Sequence, residues 1–211
     1  MAKRTKQYYY GCTPSKLDGS EHTVNIDEKI AIPEEFSWQN VMPPVRNQGE
    51  TSTCVCQSLT GMLDFLYNNI TGISGKCNNF SIQELYDSRA RKDVEGMSIK
   101  EALHYLRHKG LNDVKINEYA IVGSSELLKR CILMFGPCAG GLPVYSITDK
   151  VHFWRKRGRM IGGHCITFVG YNSEGFIIRN SWGTQWGNNG HTVISYDEWE
   201  KNCFETWTIL L

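Results

Sequence analysis

Cys54 closes a run of turn-forming and hydroxylated residues, Pro44-Val-Arg-Asn-Gln-Gly-Glu-Thr-Ser-Thr53. It opens a second run in which Val55, Leu59, Met62, Leu63 and Leu66 recur at helical spacing. The chain is therefore expected to pass from loop to buried helix at this residue, with Ser52 or Thr53 as N-cap. A thiol at such a boundary faces unpaired backbone N–H groups and the positive end of the helix dipole, and both favour the nucleophilic thiolate. A lone cysteine is more often a buried structural residue, so the reading requires partners.

A thiolate needs a base to share its proton and a polar group to hold that base. Of the six histidines, His164 enters a strand-like run directly after Gly162-Gly163, where backbone can approach a cleft closely. Asn180 ends the next strand-like run, from which its amide could fix the imidazole so that the correct nitrogen meets sulfur. Taken singly, each has a plainer reading: a packed histidine and a turn asparagine.

The elements that must carry these residues fall into two halves. Ser81-Ile-Gln-Glu84 and Ser98-Ile-Lys-Glu101 match capping boxes and open helices through Leu85-Tyr86 and through Ala102, Leu103 and Leu106 to a stop at Gly110. With the Cys54 helix they make residues 54–110 a mostly helical lobe. Beyond it, Cys138–Tyr145, His164–Tyr171, Phe176–Asn180, His191–Ser195 and Thr206–Leu211 are strand-like, with a turn at Asn172-Ser-Glu-Gly175. A helical lobe followed by an antiparallel β lobe leaves a cleft between them, where sites commonly lie. Residues 1–31 are polar and read as an extension laid over a domain. Pro43-Pro44 forces an extended approach to the Asn47-Gln48-Gly49 turn.

With 211 residues, 41% hydrophobic content and a net charge of +1, the chain can bury a full core, and its overall charge gives no footprint for nucleic acid. No apolar run approaches the ~20 residues needed to cross a bilayer, and Tyr8-Tyr9-Tyr10 follow the charged start where a signal peptide would be apolar. Eight scattered cysteines contain no C-x-x-C pair and no metal-finger spacing, so neither a structural zinc nor an obligatory disulfide set is expected, and no cofactor. A cytoplasmic or other reducing compartment suits them, with a virion or export without a signal peptide left open.

Together these residues resemble the papain-like cysteine peptidases. Asn47-Gln48-Gly49 followed by Cys54 is similar to that family's nucleophile loop, and Gly163-His164 followed by Ile166-Thr-Phe-Val-Gly-Tyr171 to its histidine strand. Asn180-Ser-Trp-Gly-Thr-Gln-Trp186-Gly-Asn-Asn-Gly190 is similar to its asparagine motif, and Ile32-Pro33-Glu34 with Trp38 to the start of the mature enzyme. The resemblance implies an α+β two-lobe fold, with a helical lobe at about 45–115 and a β-barrel-like lobe at about 116–211. It implies Cys54 as nucleophile, His164 as base and then acid, Asn180 as the residue orienting the ring, and Gln48 as a side-chain donor to the oxyanion beside the Cys54 N–H. Trp182 would shield the Asn180–His164 hydrogen bond from water. Gly96, Met97, Ser98, Ile99, Gly141 and Cys165 would line a small, partly apolar substrate pocket suited to a hydrophobic residue two positions before the scissile bond. Register from Gln48 selects Cys54 over Cys56, whose side chain lies about 200° further round the helix.

The chain departs from the family where the first cysteine of the nucleophile signature would stand at Thr51 and an aromatic at Val55. That cysteine's usual disulfide partner would fall near Val94 and is missing too, as in short disulfide-poor bacterial and viral members. Met97 replaces a glycine whose backbone pairs with substrate. The implied activity is peptide-bond hydrolysis by a cysteine endopeptidase through an acyl-enzyme. Transpeptidation, isopeptide or dipeptide cleavage, and a catalytically retired binding protein are the alternatives. The expected partner is a peptide or protein substrate, with no nucleic acid and no membrane. The first 31 residues carry two readings: a short pro-segment lying in the cleft of a zymogen, to be cut away, or a disordered or surface-packed tail.

Overall fold

The computed structural model describes residues 9–27, 29–72, 80–147 and 151–210. The elements run β1 (Phe36–Ser37), α1 (Cys54–Thr71), α2 (Ile82–Asp87), α3 (Ile99–His108), β2 (Glu118–Ile121), α4 (Ser125–Phe135), β3 (Cys138–Tyr145), β4 (Met160–Asn172), β5 (Gly175–Arg179), β6 (His191–Ile194), α5 (Tyr196–Asn202) and β7 (Glu205–Leu210). Leu211, the expected end of the last strand, and Cys77 lie outside the described residues.

The helical half forms as its capping boxes require. Ser81 Oγ accepts from Glu84 N–H and Ser98 Oγ from Glu101 N–H, each at 3.2 Å. Gly110 stops the α3 segment with φ 77°, where a Cβ would meet Val114 O at 2.2 Å. The central helix α1 is buried on all sides from residue 54 to 65, so it is a core helix and not a one-faced surface helix. Its interior polar groups are paired: Thr60 Oγ1 donates to Cys56 O at 2.6 Å, and Asp64 is bonded to the Arg46 guanidinium.

All strands pair antiparallel in the order β2-β7-β3-β4-β5-β6, with β1 added on β4. The sheet is open and does not close into the barrel-like lobe expected from sequence. Its end strands β2 and β6 do not pair with each other, and α4 and α5, absent from that expectation, pack on it. One apolar cluster joins α1, α2 and α3 to Ala139, Cys165, Trp207 and Ile209, and a second fills the β lobe around Trp154, Phe168 and Phe176. The helix carrying Cys54 packs on β4, the strand carrying His164, and that contact brings the two halves of the chemistry together.

Candidate active site

β3 and β4 pair with Gly141 opposite Cys165 and Leu142 opposite His164, and Asn180 follows the last residue of β5. Asn180 is held by its own N–H, which donates to Gly190 O at 2.9 Å. Its Oδ1 lies 2.7 Å from His164 Nε2 and accepts from Ser181 N–H at the same distance. The ring is clamped: Trp182 stacks on it with centroids 4.3 Å apart at 28°, and Phe153 meets it edge-on at 5.3 Å. His164 is fully buried, and its Nδ1 has no hydrogen-bond partner among the described residues. Trp182 thus packs over the ring that makes the Asn180–His164 bond.

Cys54 is the first residue of α1. Its N-cap is Thr53, which makes no side-chain cap bond, because the loop hydroxyls are engaged elsewhere: Ser52 Oγ with Glu95 at 2.7 Å and Thr53 Oγ1 with Thr51 at 2.8 Å. Backbone N–H groups of Cys165, Gly11 and Val55 are directed at the Cys54 sulfur. The sulfur therefore sits on the peptide that immediately follows His164. Gln48 is fixed at both ends, Oε1 accepting from Ser181 Oγ at 2.6 Å and Nε2 donating to Thr51 O at 2.7 Å.

Burial favours the neutral form of both the Cys54 thiol and the His164 imidazole. Burial, with the neighbouring Cys165 thiol behind it, pushes the Cys54 thiol up to about 12 against the N–H groups that act the other way. Burial also pulls the His164 imidazole down to about 4, outweighing the Asn180 bond that favours its protonated form. The expected effect of a helix N-terminus on the thiol is present and is overcome by desolvation.

The chain's own N-terminal stretch adds to this cover. The Tyr9 carbonyl accepts from Gln48 Nε2 at 3.1 Å and from Trp182 Nε1 at 3.0 Å. Cys12 N–H donates to Gly163 O at 2.8 Å, Met97 N–H to Gly11 O at 2.9 Å, and Thr13 N–H to Met97 O at 3.1 Å. Residues 11–13 thus run as a parallel bridge along Met97 on one side and are tied to β4 on the other. The fit is close: a Cβ on Gly96 would lie 2.2 Å from Gly11 O, and one on Gly162 2.5 Å from the Tyr10 ring. Cys12 is 2% exposed, so this part of the polar extension is core and not surface.

Of the expected pocket residues, Met97, Ile99 and Cys165 join the cluster that holds Cys12, and Gly96 shapes its entrance. Ser98 is spent as the cap of α3, and Gly141 makes room for the Phe204 ring, which a Cβ there would meet at 2.2 Å. Cys56 points away to Met97 Sδ at 3.3 Å. Sequence reasoning did not find Phe153, Phe204, Ser181 or Glu205, whose carboxylate accepts from Ser15 N–H at 3.2 Å and Trp207 Nε1 at 2.8 Å. The signal available for Phe153 was an aromatic pair, Phe153-Trp154, inside an otherwise charged stretch. Among the described residues no group of three or more His, Cys, Asp or Glu is arranged to hold a metal ion, and no helix is long and apolar enough to cross a membrane.

Residues 144–206, which include His164 and Asn180, match the family described as papain family cysteine protease. The chain is 31% identical over 84% of its length to cysteine proteinase 3 of Entamoeba histolytica, and spans 68% of that protein. It is 27% identical over 76% of its length to a viral cathepsin of Adoxophyes honmai nucleopolyhedrovirus, and spans 56% of it. The crystal structure of xylellain, a cysteine protease from Xylella fastidiosa, superposes with a TM-score of 0.82 over 100% of this chain and 98% of that one, at 21% identity. That likeness speaks to the fold.

Proposed function

Because the chain belongs to the papain family of cysteine proteases, we propose that it hydrolyses peptide bonds as an endopeptidase with Cys54 as nucleophile and His164 as base and acid. The observation that carries the reading is one arrangement. The Cys54 sulfur lies on the N–H of Cys165, while the adjoining His164 has Nε2 held by Asn180 and leaves Nδ1 buried and unpartnered. Asn180 fixes which nitrogen is free; Trp182 keeps water from the bond that does so.

Catalysis begins when residues 9–13 leave the cleft. With water readmitted, the desolvation that holds both groups neutral is lifted, and a proton passes from Cys54 Sγ to His164 Nδ1. The resulting imidazolium and the N-terminus of α1 stabilise the thiolate; members of this family are a general example of thiol pKa values near 3–4. The thiolate attacks the substrate carbonyl carbon. The developing oxyanion is met by Gln48 Nε2, the donor now engaged by Tyr9 O, and by the Cys54 N–H. His164 gives its proton to the departing amine, leaving a thioester, then takes one from water as that water releases the acid.

In this reading residues 1–31 are a pro-segment and 32–211 the peptidase proper, with the cleft between a helical and a sheet half. Support comes from the Tyr9 carbonyl on the Gln48 donor and from Cys12 in the pocket of Met97, Ile99 and Cys165. A small hydrophobic side chain of substrate would take the place of Cys12.

Iodoacetamide labelling followed by peptide mapping tests the chemistry. Cys54 is expected to alkylate fast at mildly acidic pH once the segment is released, with Cys54→Ala and His164→Ala both inactive on a peptide library. A released chain in which Cys54 reacts only as pH nears about 8.5 would mark it as an ordinary thiol and end the assignment.

A further inference from the structure

We propose that Cys12 and Cys165 are a covalent modification site: a disulfide between them fastens the N-terminal segment in the cleft, and a thiol reductant must break it before the segment can leave. The inference rests on the reading of that segment as inhibitory.

The geometry is local and specific. Cys12 is fixed in depth and direction by its N–H on Gly163 O at 2.8 Å and by its bridge to Met97. Gly163 and Cys165 are two apart on β4, so their side-chain positions project to the same face of the strand. At Gly163 that face is against the segment, since a Cβ there would lie 2.3 Å from Cys12 O. The Cys165 side chain is therefore aimed at the segment, and Cys165 is the neighbour that acts most strongly on the Cys12 thiol. Both are buried in one cluster, at 2% and 0% exposure, and both are free. None of the catalytic steps uses either sulfur. In the proposed mechanism a substrate side chain replaces Cys12, so nothing in hydrolysis accounts for a thiol on the segment facing a thiol on the wall.

The bond also fits the chemistry of the site. That Cys165 contact, followed by burial, raises the Cys12 thiol well above its ordinary range, so oxidation does not begin in the seated state. It begins when the segment lifts briefly and Cys12 attacks a low-molecular-weight disulfide such as oxidised glutathione, forming a mixed disulfide and releasing one reduced glutathione. On reseating, Cys165 loses its proton and attacks the Cys12 sulfur, expelling the second glutathione. Two protein thiols become one disulfide and one oxidised glutathione becomes two reduced. The bond closes a loop of about 150 residues, so it also restricts the unfolded chain, and while it holds, the segment stays tied to β4.

The test equilibrates the full chain in glutathione buffers of graded ratio, blocks free thiols under denaturing conditions, and maps peptides without reduction; activity is read in parallel before and after dithiothreitol. The expected result is a linked Cys12–Cys165 peptide pair, a chain lighter by two hydrogens, and peptidase activity that is lost with formation of the pair and regained on reduction. Cys12→Ser and Cys165→Ser should each abolish the linked pair. Both thiols remaining blockable at every ratio, or a pair joining Cys12 to Cys54, overturns the proposal. If the linked pair forms and activity persists, the bond stands and the inhibitory reading of the segment falls.

Discussion

Gly11→Ala is the smallest change that should open this protein. A Cβ at residue 11 would lie 2.4 Å from Ser52 O and 2.6 Å from Ser52 Cβ, so the segment cannot stay where it is. Relieving such overpacking costs about 1–3 kcal/mol, which lowers the seated population relative to the lifted one by roughly 5- to 150-fold. In the seated state burial pushes the Cys54 thiol up to about 12, so near neutral pH the thiolate is strongly disfavoured. Alkylation of the intact chain must then run through the lifted state, and its rate reports how often that state is visited. Iodoacetamide labelling of Cys54, followed by mass spectrometry, should accelerate in Gly11→Ala by about 5- to 150-fold. Gly61→Ala, where a Cβ meets nothing within 4 Å beyond its own helix, should leave the rate unchanged. Equal labelling of wild type and Gly11→Ala would refute the reasoning, because it would mean that Cys54 is reactive with the segment in place.

Three further outcomes follow from the same contacts. Gln48→Ala should lower kcat/KM by about 10²–10³ on a released chain while leaving Cys54 labelling no slower, since the residue acts on the oxyanion and its Nε2 otherwise holds the segment through Tyr9 O. His164 is depressed from 6.5 to about 4 in the fold, so the unfolded chain binds the extra proton first as pH falls. Stability present above about 6.5 should therefore be lost progressively toward about 4, by ~3 kcal/mol from this group, and denaturant melts of His164→Asn should show a shallower pH slope. Asp64→Ala leaves the 12%-exposed Arg46 without its buried carboxylate and should cost about 3–5 kcal/mol, read as a lower urea midpoint at unchanged m.

The parts of the fold that were legible in the sequence are those where one residue type does one job. Ser81 and Ser98 cap the helices their boxes announce, and Gly110 stops the third where expected. Ser195-Tyr-Asp-Glu198 carries the same box and opens α5, a short helix set between the strand-like runs that end at Ser195 and begin at Thr206. Ser124 caps α4 without a Glu three residues on, which leaves a weaker signature. Cys54, Gln48, His164 and Asn180 were open to proposal because their loop and strand motifs are local. The occupancy of their cleft was not, because it depends on contacts such as Gly11 with Ser52 and Cys12 with Gly163, far apart in the chain. A polar stretch with one buried cysteine has the composition of a surface tail.

The site sets two physical effects against each other, and the segment decides which prevails. The start of α1 and the N–H groups aimed at Cys54 favour charge on sulfur, and Asn180 favours charge on the imidazole. Those donors are set by α1, β4 and β5, except for Gly11 N–H, and persist whether the segment is seated or lifted. Burial is the variable quantity. Residues 9–13 add to it where they bond beside the site, and they also engage the Gln48 donor that the proposed oxyanion would need. A segment that excluded water without touching Gln48 would suppress the ion pair but leave the oxyanion site assembled; one that touched Gln48 without excluding water would block substrate but leave a reactive thiolate exposed to oxidation. In the proposed reading, doing both keeps the resting sulfur neutral and the donor occupied, so a single movement of the chain would restore nucleophile, base and oxyanion site together.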